Sequence, residues 1–310
     1  MNALSTILPV FFMIALGLTS RVKGWITPQQ ASGLNTVVNK ILFPIMIFNA
    51  LFTTSLQMDM LAVIVFMFVA HIIAIVIGKL TSRFTSKQYK EVSPFLMATV
   101  DGGNICYPLY ATIVGSEYIG NVVLLDIACM FVVFLVIPIM VSSKNSNNTN
   151  FKTLLKNLIK DPLVLTMLLG IVLQILGLHQ LLENTGLIVI YDSIVSMATA
   201  PMVACILFGI GYRFTIERSA LLPLVKTILT RVAVMCCFVG LFFVLFPSLV
   251  QVETFKIVVI LYFLSPPALV LVSQLEPLCK KKEDAGFVSA FISLYMFITL
   301  FVYVILVLNF

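Results

Sequence analysis

The stretch VDGGNICYPLY, residues 100–110, stands in the middle of an apolar run from about Pro94 to Val114. That run is long enough to cross a membrane, yet its centre holds Asp101, Gly102, Gly103, Asn104 and Pro108. Each of these weakens a helix or is costly in lipid. Pro108 cannot donate a backbone hydrogen bond and the paired glycines loosen the chain, so a helix is predicted to break near 102–107. A second such place is YFLSPPALV, residues 262–270, where a break is predicted at Ser265–Pro267. Freed backbone groups survive in lipid only where protein or water satisfies them. The two breaks are therefore expected to lie against one another near the bilayer midplane.

The remainder of the chain has the composition of a membrane protein. Of its 310 residues 61% are hydrophobic and 10% charged, with a mean hydropathy of +1.12. A soluble domain carries about 25% charged residues, so a lipid bilayer is expected to cover most of the surface. The net charge of +6 lies in short clusters between apolar runs, which reads as membrane topology and not as a nucleic-acid surface. The first apolar run, Leu4–Leu18, has no basic residue before it and reads as a span, not a cleaved signal. The six cysteines form no C-x-x-C pair and have no histidine at ligand spacing; they read as small buried hydrophobes.

Ten apolar runs are long enough to span: about 4–19, 33–52, 60–80, 92–114, 120–141, 162–178, 187–211, 223–246, 256–275 and 285–308. Arg21 and Lys23, Lys79 to Lys90, Lys144 to Lys160, Arg213 and Arg218, and Lys280 to Lys282 follow the odd-numbered runs. The positive-inside rule then puts both termini outside the cell. Lys40 and Arg231 lie about two turns from cytosolic helix ends, and both are expected to snorkel there. SSKNSNNTNFK, 142–152, is the one long polar stretch. It divides the chain into a five-helix half over 1–141, a cytosolic linker over 142–161 and a second half over 162–310.

The halves echo one another. LGL at 16–18 recurs at 176–178, Pro44 has a counterpart in Pro201, and Pro108 in Pro266 or Pro267, all at nearly one offset. The fold expected is all-α: ten transmembrane helices as two inverted five-helix repeats, with broken, crossing helices four and nine. Matched, interrupted spans in inverted halves point to the binding site of a secondary transporter. Helix N-termini at the breaks suit a carboxylate. Gly103, Asn104, Tyr107, Pro108, Ser265, Pro266 and Pro267 are the candidate substrate-binding residues.

These features resemble the auxin efflux carrier family, which includes prokaryotic malonate and malate permeases. The resemblance rests on LNTVVNKILFPIMIFNALF (34–52) with its central proline, on GGN-x-x-x-P in the fourth run and on the prolines of the ninth. It implies a scaffold and a transport unit moving in an elevator-like way, a small organic anion as substrate, and a scaffold wall around Phe48 and Asn49. The scaffold's lipid face could form a homodimer.

His71 and Asp101 lie near one depth and could form a proton relay; Asp126 could bind a coupling cation, either H+ or Na+. A sodium-coupled carrier resembling bile-acid symporters is the alternative, weakened by the few polar groups at the ninth break. A membrane-embedded enzyme would need a nucleophile–base pair or metal cluster, and neither pattern is present. No cofactor and no catalytic residue is expected.

Overall fold

The computed structural model describes residues 3–53, 58–144, 162–213, 221–279 and 281–310, all of them helical or connecting segments. The linker expected at 142–161 lies outside the described residues from 145 onward. The main helices are α1 (Ala3–Val22), α2 (Pro28–Thr53), α3 (Met58–Thr85), α4 (Gly102–Cys106 continuing as Tyr107–Val114) and α5 (Gly120–Ser143). They are followed by α6 (Pro162–Ile175), α7 (Leu178–Asn184), α8 (Ile188–Arg213), α9 (Leu221–Leu245), α10 (Glu253–Phe263) and α11 (Lys282–Asn309).

The expected ten spans in two inverted repeats are not what forms. Among the described residues seven helices are long and apolar enough to cross a bilayer: α1, α2, α3, α5, α8, α9 and α11. An eighth is added if α6 and α7, which meet at a 61° bend, are one span. The fourth and ninth apolar runs contain no helix of spanning length. In the fourth, a single turn at Ser93–Leu96 is followed by non-helical chain to Asp101 before α4 starts. In the ninth, α10 ends at Phe263 and the chain is non-helical from 264 to 270. Hydropathy measures apolar length and is blind to helix continuity, which is why ten runs yield seven or eight spans. A count of seven or eight does not supply five helices to each half.

The matched prolines also sit in unlike local structure. Pro44 and Pro108 lie inside continuous helix, each just after a π-helical turn, Val38–Leu42 and Gly102–Cys106. A third such turn, Val132–Val136, precedes Pro138. A proline ring inside a helix collides with the carbonyl four residues back, and a wider turn moves that carbonyl aside. Pro201 instead falls at an interruption of α8, and Pro266 and Pro267 lie in non-helical chain.

The chain divides into two compact units that alternate along it. The first is Met1–Met60, Gly103–Val123 and Asn157–Phe214; the second is Leu61–Gly102, Leu124–Lys156 and Thr215–Phe310. Within the first unit α1 packs closely on the second half of α8. A Cβ added at Gly17 would overlap the Phe208 carbonyl, and one at Gly211 the Ile14 carbonyl, so only glycine permits this approach. Likewise α6 lies against α2, where a Cβ at Gly170 would stand 2.9 Å from the Phe48 carbonyl oxygen. In the second unit the core is aromatic: Tyr89, Phe95, Phe242, Tyr262, Phe263, Phe287 and Tyr295 are all fully buried. Leu8, Phe12, Val65, Ile175, Val189, Val244 and Phe301 are exposed along the spanning helices, a surface that a bilayer would cover.

Candidate functional site

The two interruptions meet inside the second unit. The Asp101 N–H donates to the Pro266 carbonyl at 2.8 Å, and the Leu269 N–H donates to Asp101 Oδ2 at 2.9 Å. The Ala268 N–H reaches Thr99 Oγ1 at 3.3 Å. Each broken stretch thus satisfies part of the other's backbone, as buried polar groups in lipid require. Ser265 turns its hydroxyl back to the Leu261 carbonyl at 2.7 Å, and Ser265, Pro266 and Pro267 are all buried. Their observed part is to shape the crossing.

Arg231 closes this arrangement. It is completely buried, and its guanidinium donates to the carbonyls of Leu96, of Thr99 at 2.7 Å and of Ser265 at 3.1 Å. The same group stands 4.9 Å from the centroid of the Tyr295 ring. Arg231 does not snorkel to the cytosol as its distance from the helix end predicts; it points inward and ties the two breaks together. The carbonyls left open by both interruptions form an acceptor set that the five-donor fork of an arginine can fill. Lys40 by contrast is exposed. The inward role of Arg231 could have been sought in the sequence as a cation facing a pair of helix breaks.

α5 braces the crossing from another side. The Val100 N–H reaches Cys129 Sγ at 3.3 Å, and the buried Asp126 carboxylate accepts the Tyr262 hydroxyl at 2.8 Å. A Cβ at Gly102 would overlap that carboxylate, so glycine is what lets Asp126 approach the first residue of α4. His71 of α3 is 97% buried by its 3% exposure, and its Nδ1 lies 2.5 Å from the Met67 carbonyl. Its ring stands edge-on to Tyr262 with centroids 6.5 Å apart. Tyr262 thus stands between His71 and Asp126 as a neighbour of both.

Gly103, Asn104, Tyr107 and Pro108 belong to the first unit, the chain passing from one unit to the other between Gly102 and Gly103. Here the neighbour from α2 is Phe43. A Cβ at Gly103 would stand 2.6 Å from the Phe43 Cζ, and the Phe43 and Tyr107 rings meet edge to face at 5.1 Å. Phe48 stacks on Phe52 at 5.4 Å, and Asn49 Oδ1 accepts the Tyr191 hydroxyl at 2.8 Å. Asn49 also lines a cavity of about 300 Å³ with Met46, Glu117, Asp192, Ser196 and Thr199. Among the described residues no three His, Cys, Asp or Glu side chains lie close enough to hold a metal ion.

A family model described as membrane transport protein matches residues 2–304. The chain belongs to the membrane transport protein family. No curated protein matches it. Family membership gives the activity its class, transport through a helical membrane protein, and the interrupted helices acquire their context from it. In a membrane transport protein, paired breaks that satisfy one another's backbone are where non-helical chain can be kept at membrane depth.

Proposed function

We propose that this membrane transport protein is a secondary transporter of a small organic anion, a mono- or dicarboxylate, working by elevator-like alternating access. The observation that carries the reading is the hydrogen-bonded pair of breaks from which α4 sets out at Gly102. The first turn of a helix has N–H groups without partners inside the helix and carries about half a positive charge. Asn104, half-buried in that turn, adds an amide donor beside it. Arg231 supplies a full positive charge to the same crossing. Both breaks lie in one compact unit. The match of motifs to the malonate and malate permease branch favours carboxylates as that cargo.

The test is uptake of labelled mono- and dicarboxylates into proteoliposomes, with pH, Na+ and voltage gradients imposed separately. Saturable uptake of a carboxylate, reduced at least tenfold (about 1.4 kcal/mol) in Asn104→Ala, is the expected result. A folded protein that moves no carboxylate under any gradient would remove the anion from the reading.

A further inference from the structure

We infer that Asp126 is the proton-binding group of this transporter, and that the anion crosses together with a proton held on its carboxyl. The inference rests on the anion reading above, which puts the substrate at the start of α4.

Asp126 lies where a charge change would matter most. Its carboxylate presses on Gly102, the first residue of α4, so closely that a methyl group at that position would overlap it. An anion drawn to the same helix end meets a second negative charge a few ångströms away. At about 4 Å two unit charges interact by several kcal/mol in the partly screened interior of a protein. A proton on Asp126 removes that repulsion. Anion binding and protonation therefore favour one another, and by linkage the preference is mutual. A loaded carrier then holds one anion and one proton: Asp126 takes H+ as the site opens to one side and gives up the same H+ on the other.

The surroundings suit a proton. Tyr262 of α10 donates its hydroxyl to Asp126 Oδ1 at 2.8 Å. Next to Tyr262 is His71 of α3. The Met67 carbonyl can only accept, so the proton of a neutral His71 sits on Nδ1, which lies 2.5 Å from that oxygen. Nε2 then carries a bare lone pair, and it is buried with no hydrogen-bond partner among the described residues. A buried, unfilled acceptor is rare because it forfeits a hydrogen bond. Here it gives a proton a second resting place beside the Tyr262–Asp126 pair. The other ionisable groups of this neighbourhood are Asp101 on the break segment, Cys129 on α5 itself, Arg231 of α9 and Tyr295 of α11. Arg231 is bonded to backbone carbonyls, and Asp101 Oδ2 accepts the Leu269 N–H. Asp126 has a hydroxyl as its recorded partner.

The experiment joins two measurements on the full chain. In proteoliposomes, monocarboxylate uptake is compared with and without a pH gradient while a trapped pH dye follows the lumen. Wild type should accumulate the anion about tenfold per unit of imposed ΔpH, with proton movement in step and no response to voltage. In Asp126→Asn the ratio of uptake with and without ΔpH should fall to one, and in Asp101→Asn it should stay above one. Retention of ΔpH-driven uptake by Asp126→Asn would overturn the inference, as would wild-type uptake driven by Na+ alone. The second measurement needs no substrate and no transport. Infrared difference spectra of the purified protein should show a carboxylic-acid band that titrates in wild type and in Asp101→Asn and is missing from Asp126→Asn. If no carboxylate moves at all, the anion reading falls by itself. The infrared titration then decides the proton site, and a wild type without a titrating carboxylic-acid band would sink it.

Discussion

Gly103 and Phe43 form a tight apolar constraint at the start of α4, because the phenyl ring occupies the space that any larger residue at 103 would need. The ring is also held edge-on by Tyr107, so it has little freedom to withdraw. Gly103→Ala should therefore reduce transport strongly, with overpacking costing about 1–3 kcal/mol. The double variant Gly103→Ala/Phe43→Leu should recover much of that loss, since removing the ring opens the space the new methyl requires. Uptake rates and melting temperatures of the two single variants and the double, read as a double-mutant cycle, give the check. Additive losses would mean that the ring is not what keeps residue 103 small. Gly102 differs in kind, since its close neighbour is the Asp126 carboxylate and not an apolar ring.

At the scale of elements, the crossing of the two breaks is held by a side chain from α9, a helix that carries neither break. Arg231 fills three carbonyls that the interruptions of the fourth and ninth runs leave open. Each buried carbonyl left without a donor costs about 1–3 kcal/mol. Arg231→Met should thus lower stability by several such increments, seen as reduced yield and a lower melting temperature in detergent. Arg231→Lys should recover part of it, because an ammonium keeps the charge but lacks the planar fork. A melting temperature unchanged in Arg231→Met would place the stability of the crossing elsewhere. This element also marks where sequence reasoning stopped. The glycines and prolines of 100–110 and 262–270 were legible as helix disruptors, since their effect is local. The outcome at the first of them was not, because Pro108 is accommodated by a π-helical turn and the chain instead departs from helix at 97–101. Arg231 looked like a snorkelling residue because its distance from a helix end is visible in sequence, whereas the acceptors it meets come from two distant segments. Counting spans failed for the related reason that apolar composition does not report continuity. His71 and Asp126 were legible as ionisable residues inside apolar runs, but the tyrosine that stands next to both was not, since Tyr262 looks like any other aromatic residue of its run.

For the molecule as a whole, the charges at its first and last helices bear on how many times the chain crosses. α1 has Arg21 in its last turn and Lys23 just beyond, so the positive-inside rule predicts a cytosolic C-terminal end for it and an N-terminus outside. In the sequence Lys280 to Lys282 lead into α11, and the same rule predicts a cytosolic start for that helix and Phe310 outside. Each argument uses a single helix and is independent of everything between. Two termini on one side require an even number of crossings. Among the described residues α6 and α7 meet at a bend of 61°. The bend has a local cause in Gly177, whose φ of 72° is a conformation that glycine adopts without strain. The measurement is labelling with a membrane-impermeant maleimide of single cysteines placed at Asn2 and Phe310 in a cysteine-free background. Both should react in intact cells, and a cysteine at Trp25, between α1 and α2, should react only after permeabilisation. If one terminus reacts in intact cells and the other does not, the crossings are odd in number. In that case the basic residues beside one of the two terminal helices would not govern its orientation.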